Sequence, residues 1–130
     1  MLALIKDRSG TELKRAKPPT PGPGEVVVKV MCAGLCRTDV YVSQGLLTSD
    51  LPRILGHECA GVVCQLGPET RTSRLGDRVS VFPWLGCGHC EFCREESTGY
   101  LCPERQFLGR DIDGCFAEFM AIPERCCVAL

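Results

Sequence analysis

Four cysteines within one short stretch constrain this chain more than any other feature of its sequence. From position 87 to 102 it reads CGHCEFCREESTGYLC, with cysteines at 87, 90, 93 and 102. Thiolates bind zinc at about 2.3 Å in a tetrahedron, and C-x-x-C turns present sulfur pairs at that reach. Four thiolates leave no coordination position open, so Cys87, Cys90, Cys93 and Cys102 read as ligands of a structural zinc. A stretch this short has no core of its own and takes its shape from the ion. An irregular lobe is therefore expected over residues 84–104. Four unligated thiols in a loop are the plain alternative. An iron–sulfur cluster is another, because Pro103 follows the last cysteine as in ferredoxin-type runs. The final gap is wrong for that pattern, however, and no second cysteine run accompanies it. His89, between two of the cysteines, offers an imidazole in place of one sulfur, but four thiolates already satisfy an ion. It reads as an exposed loop residue.

The remaining cysteines sharpen the reading of compartment. The chain has 11 cysteines in 130 residues, an odd number that disulfides alone cannot exhaust. The apolar run at the N-terminus is too short for a signal peptide, and no stretch has the length of a spanning helix. A reducing, cytoplasmic setting is expected, where dense cysteine means metal or catalysis. With 15 basic and 16 acidic residues the net charge is −1. That balance carries no footprint for nucleic acid or an anionic membrane, and neither is expected as a partner. Cys32, Cys59, Cys64, Cys115, Cys126 and Cys127 read as small buried hydrophobes. For Cys126 and Cys127 the alternative is exposure and oxidation.

Outside the lobe the pattern is that of a mainly β protein. Short β-type runs punctuated by Gly and Pro cover residues 1–6, 25–31, 59–65, 78–82 and 116–122. Glu25-Val-Val-Val-Lys-Val30 is β-branched and partly alternating, as for a strand with one buried face. Residues 18–24 form a rigid Pro/Gly connector, and residues 75–79 a tight turn into a strand. The only helical candidate is a short segment over 38–44. A barrel or sandwich is expected.

A second constellation sits upstream, in Gly34-Leu-Cys-Arg-Thr-Asp39 and Gly56-His-Glu58. Cys36 and His57 are ligand types that zinc prefers, and Glu58 adds an oxygen donor or an adjacent charge. Asp39 can accept the other ring N–H of His57 and so fix its tautomer. Read singly, Cys36 pairs equally well with Cys32 in a core, and a histidine in a Gly-bounded turn is often structural.

Taken in order, the motifs resemble the zinc-dependent alcohol dehydrogenases of the medium-chain family. They are P-x-P-G-E-V-x-V-K-V, G-x-C-R-T-D, G-H-E, L-G-D-R-V, the cysteine lobe and F-A-E-F, spread from about 21 to 127. The resemblance is to that family's N-terminal catalytic domain, a GroES-like β-barrel, and makes residues 1–130 one such domain. It implies Cys36 and His57 as ligands of a catalytic zinc, with Glu58 approaching the ion during ligand exchange. It implies Thr38 as the hydroxyl that bonds the substrate alcohol and passes on its proton. Arg37 falls where some members hold the pyrophosphate of the cofactor. A small alcohol or carbonyl substrate, NAD or NADP and two zinc sites follow from it, and self-association of a full-length form is compatible with it. Phe82 and Trp84 are candidates for an apolar substrate pocket, or equally for packing at the barrel edge.

Several departures qualify what the resemblance implies. The family's third ligand to catalytic zinc and its Rossmann domain have no counterpart in these 130 residues, which contain no G-x-G-x-x-G after a strand. The chain is accordingly expected to be part of a longer fold and inactive alone. Tyr41 stands where many relatives place a proton-relaying histidine, and a phenol with a pKa near 10 is a poorer shuttle. The loop from Cys93 to Cys102 is one residue longer than usual. Cys115 occupies a position where relatives often carry glycine. The alternative to an oxidoreductase domain is a non-enzymatic structural zinc module, which keeps the lobe and lacks the chemistry.

Overall fold

The computed structural model describes residues 1–95 and 99–130. Among these residues, ten strands make up three antiparallel sheets. β1 (Leu2–Asp7) and β2 (Gly10–Arg15) form a hairpin, and β1 also pairs with the short β4 (Arg53–Ile54). A five-stranded sheet runs β10-β6-β5-β3-β9, with β3 (Glu25–Gly34) and β5 (Glu58–Leu66) at its centre. Around them lie β6 (Arg78–Val81), β9 (Phe119–Pro123) and β10 (Cys127–Ala129). β7 (Trp84–Leu85) and β8 (Gln106–Phe107) make a third, two-stranded sheet that frames the cysteine lobe.

The mainly β expectation is met, and the barrel takes the form of two sheets joined edge to edge. An isolated bridge between Ala3 and Ala117, with the Leu4 N–H donating to Phe116 O at 2.7 Å, ties β1 to the segment entering β9. Among the described residues the strands do not close into one hydrogen-bonded ring.

The expected strand over 25–31 extends to Gly34. Val26, Val27 and Val28 are all buried, so both faces of β3 are covered at this point and the run is more apolar than simple alternation predicts. Bulges between Val27 and Val28 and between Val30 and Cys32 bend the strand across the core. Val26 and Val28 meet Val63, Val79, Val81, Leu108, Met120 and Ile122 there. The last expected strand begins late, at Phe119 instead of 116. The preceding N–H groups of Cys115 and Phe116 are already spent on Gly56 O and Leu55 O. β2 was not foreseen because its sequence, GTELKR, is polar and Leu13 is exposed. Only its pairing with β1 makes it a strand. The helix expected over 38–44 is α1 (Arg37–Ser43). No helix among the described residues is long and apolar enough to cross a membrane.

Candidate metal centres

The antiparallel register of β3 and β5 closes the 21-residue gap between the upstream motifs. Gly34, the last residue of β3, pairs with Glu58, the first of β5, so the chain leaving one strand passes the chain entering the other. Cys36 then caps α1, and His57 immediately precedes β5. A Cβ at Gly34 would lie 2.5 Å from Glu58 Oε2, so a side chain at this crossing would push the Glu58 carboxylate aside.

One donor atom each from Cys36, His57 and Glu58 lies within 4.8 Å of the others. Asp39 organises the group. It is 4% exposed and uses both carboxylate oxygens. Its Oδ2 accepts the Cys36 backbone N–H at 2.9 Å, and its Oδ1 lies 3.1 Å from His57 Nδ1. That contact makes Nδ1 the protonated nitrogen and leaves Nε2 with a free lone pair, the state a metal-bound histidine needs. Glu58 Oε1 is 3.7 Å from Nε2 on the solvent side, where the Glu58 side chain is 55% exposed. Thr38 Oγ1 is 3.6 Å from Cys36 Sγ. The group thus has three donors, one open side and a hydroxyl at its rim. Those donors suit zinc with a position left for a ligand.

Arg37 opens α1 but is exposed, with its guanidinium carbon 5.9 Å from the Tyr41 ring centroid. No contact joins it to the donor group among the described residues. Phe107 was not singled out from the sequence. Its ring centroid lies 4.7 Å from that of His57, and the Trp84 ring packs tilted against it at 4.4 Å. No local signal marks it, because it follows His57 by 50 residues. Phe82 and Trp84 line a cavity of about 690 Å³ with Tyr100, Cys93, Glu124 and Arg125, beside the lobe. Phe107 links the Trp84 ring to that of His57.

In the lobe, the sulfurs of Cys87, Cys90, Cys93 and Cys102 also lie within 4.8 Å of one another. Cys87 and Cys93 are 3.9 Å apart at Sγ, close to the tetrahedral edge of about 3.8 Å that a 2.3 Å Zn–S bond requires. The backbone turns toward these sulfurs. Cys87 N–H donates to Cys102 Sγ and Cys90 N–H to Cys87 Sγ, both at 3.4 Å. N–H groups of His89 and Cys90 draw the Cys87 thiol down to about 6, whereas burial pushes Cys90 upward. Four crowded thiols cannot all ionise without a cation, and the same crowding suits them to one. The short α2 (Glu91–Arg94) delivers Cys93, and Gly86 leaves no room for a Cβ against its sulfur.

His89 is exposed as expected, with Nδ1 3.2 Å from Cys87 O. It forms a second grouping with Cys87 and exposed Glu104, but Cys87 already belongs to the four-sulfur set. The extra residue between Cys93 and Cys102 falls in a loop whose residues 96–98 lie outside those described. Of the other cysteines, Cys59, Cys115 and Cys126 are buried, and Cys64 and Cys127 half-buried. Cys32 is the exception to the expected burial. It is exposed because the far end of β3 runs beyond the core.

Residues 22–130 match the model of the alcohol dehydrogenase GroES-like domain. The L-threonine 3-dehydrogenase of Pyrococcus horikoshii is 37% identical over 131 residues, an alignment covering 95% of this chain and 37% of that protein. A crystal structure of an NAD-dependent alcohol dehydrogenase superposes with a TM-score of 0.89 at 36% identity, covering 99% of this chain and 39% of that one. The cobalt- and zinc-bound thermostable alcohol dehydrogenase from Pyrobaculum aerophilum reaches a TM-score of 0.91 at 34% identity, over 99% and 41% of the respective chains. The chain therefore spans well under half the length of these relatives.

Proposed function

The chain belongs to the GroES-like domain family of zinc-dependent medium-chain alcohol dehydrogenases, and on that premise we propose that it is the zinc-binding catalytic domain of an NAD(P)-dependent alcohol or polyol dehydrogenase. The observation that carries the proposal is the three-donor group of Cys36, His57 and Glu58, held open to solvent and fixed from behind by Asp39. Relatives named for L-threonine and alcohol dehydrogenation support a small hydroxyl-bearing substrate.

A metal bound here supplies Lewis acidity to the hydroxyl oxygen, and a nicotinamide supplies the hydride acceptor. The protein's own residues do the rest. Cys36 and His57 hold the ion, while Asp39 keeps the His57 proton on Nδ1 and away from it. Glu58 waits on the exposed side to take part in ligand exchange. Thr38 Oγ1 orients the substrate hydroxyl and accepts its proton as the carbonyl forms. Phe107 and Trp84 back the imidazole and keep water from its inner face. Arg37, exposed at the start of α1, is placed for the phosphates of a cofactor. With a phenol at Tyr41 in place of a relaying imidazole, the route onward from Thr38 runs to solvent. The lobe cysteines hold a second, structural zinc. The third ligand of the open site and the nucleotide-binding fold are supplied from outside these 130 residues, and the chain alone is inactive.

Metal counting tests the reading. Two zincs per chain are expected, falling to one in Cys36→Ser/His57→Gln with the far-ultraviolet circular dichroism unchanged. A single zinc in the unmutated chain, insensitive to that double substitution, would leave a structural zinc module instead.

A further inference from the structure

A cavity of about 360 Å³, open to solvent, lies between the small sheet and the β9 edge of the large one. Ile5 and Ile54 wall it from the small sheet, and Phe119, Met120 and Ala121 from β9. None of the metal-fitting donors lines it. The charged side chains among the described lining residues are Lys17, Arg53 and Asp113. Arg53 is the unusual one, with a side chain only 16% exposed. A guanidinium carries five N–H donors, and one this buried is ordinarily well paired. Among the described residues its hydrogen-bond partner is Asp113 alone, 3.5 Å from Nη1, while Nε is buried with no partner. The same Asp113 oxygen already accepts the Ile54 N–H at 3.0 Å, and that side chain is 60% exposed, so the pair is weak. Nearby Asp111 is held by Arg110 through both carboxylate oxygens. Arg53 therefore brings unspent donors to the wall of an apolar cavity.

An anion satisfies such donors, and the lining says which kind. Exposed Lys17 adds a second cation, so the two outnumber Asp113. The Met1 ammonium also borders the cavity but is engaged by Ala16 O at 2.9 Å. A phosphate would bring a second negative charge toward Asp113 and oxygens that the apolar walls leave unpaired. A carboxylate has two oxygens that match the guanidinium fork, and an apolar tail matches the walls. We propose that this cavity is a binding site for a small apolar monocarboxylate of about ten non-hydrogen atoms, a size suited to a pocket of this volume. Its carboxylate lies on Arg53 with Lys17 beside it, and its chain lies against Ile5, Ile54, Phe119 and Met120. The site does not rest on the metal reading.

Methionine methyl signals test it, since Met1 and Met120 line the cavity and Met31 lies exposed on β3, outside it. The chain, purified with zinc and labelled with carbon-13 at its methionine methyls, is titrated with octanoate. Cys36→Ser/His57→Gln is titrated alongside, so that no open-site metal competes for the carboxylate. In both proteins Met120 and Met1 are expected to shift saturably, with a Kd of about 0.1–1 mM, while Met31 stays in place. Arg53→Gln should weaken binding about tenfold or more. Lys17→Glu, at an exposed position, should weaken it about two- to fivefold. Octanol, which lacks the charge, and inorganic phosphate, which lacks the chain, should each bind at least about tenfold more weakly than octanoate. An unmoved Met120, equal shifts at Met31, octanol or phosphate binding as tightly as octanoate, or full affinity in folded Arg53→Gln and Lys17→Glu would each overturn the proposal. Shifts seen only in the unmutated chain would put octanoate on the open-site metal, overturning this site while leaving the metal reading intact.

Discussion

The two metal-fitting groups of this domain are built on opposite principles. The lobe draws all four sulfurs from one stretch of 16 residues, closes on itself, and has two two-residue strands for a frame. The open site draws three donors from two segments, 21 residues apart between Cys36 and His57, that meet at one end of a β-ladder, and its histidine is 5% exposed. The lobe has little packing to lose, and on the proposed reading it owes its order to an ion. The open site is held by sheet register and a buried carboxylate before any ion arrives. A stable scaffold around an incomplete ligand set leaves a coordination position for chemistry, whereas a complete set around a weak scaffold makes a staple.

That contrast can be broken most directly at a lobe cysteine. Cys93→Ser is expected to abolish zinc binding in the lobe, forfeiting most of the ~10–16 kcal/mol typical of structural zinc sites. Limited proteolysis should then nick residues 87–102 while the β core resists, and elemental analysis should still find the open-site ion. Loss of both ions together would mean that the two groups are not independent.

Next in size come two glycine substitutions that act one on each side. Gly56 has φ +94° and a Cβ there would overlap the Phe116 ring, so Gly56→Ala should cost about 1–3 kcal/mol in backbone strain alone and displace His57. Calorimetry should show a lowered Tm, with the open-site ion lost and the lobe ion kept. Gly86→Ala places its Cβ on Cys93 Sγ and should produce the reverse pattern of metal loss.

Asp39→Asn is a finer probe of the open site. Asparagine can still accept the Cys36 N–H, but then presents an NH₂ group to His57 Nδ1 and drives the ring proton to Nε2. Metal affinity at this site should fall about 10–100-fold, read by competition with a chromophoric chelator, with the lobe unaffected.

The smallest effect is expected where the lobe meets the β core. Glu124 accepts hydrogen bonds from the N–H groups of Arg71, Thr72 and Ser73 and from the Thr72 hydroxyl, and the neighbouring Arg125 donates to Gly86 O at 2.9 Å. Burial raises the Glu124 carboxyl, but the Thr72 hydroxyl and those N–H groups outweigh it and hold it at about 2, against an ordinary 4.5. Because the folded value is depressed, its stabilisation is complete above about 4.5 and is lost as the pH falls toward 2. Acid unfolding of Glu124→Gln should be less steep across that window than that of the unmutated chain.

Much of the lobe was legible because its ligands are local. A C-x-x-C turn places sulfurs by covalent geometry, and no distant residue is needed to bring Cys87, Cys90 and Cys93 together. The central strands were legible for a similar reason, since Val26, Val27 and Val28 announce a strand by their own branching. β2 and the delayed start of β9 were not. The first exists only through pairing with β1, and the second is set by carbonyls of Leu55 and Gly56 that capture the preceding N–H groups. Phe107 beside His57 is likewise silent in the sequence because the two residues lie 50 positions apart.

By itself, then, the sequence determined which donors exist, the spacing of the lobe cysteines, and the β-rich character around them. Short-range spacing and side-chain branching act within a few residues. Only the tertiary structure decided that Gly34 lies against Glu58, that one Asp39 carboxylate holds both the Cys36 backbone and the His57 ring, and that the second donor group opens to solvent. Those facts depend on strand register, and register is settled by how the whole core packs.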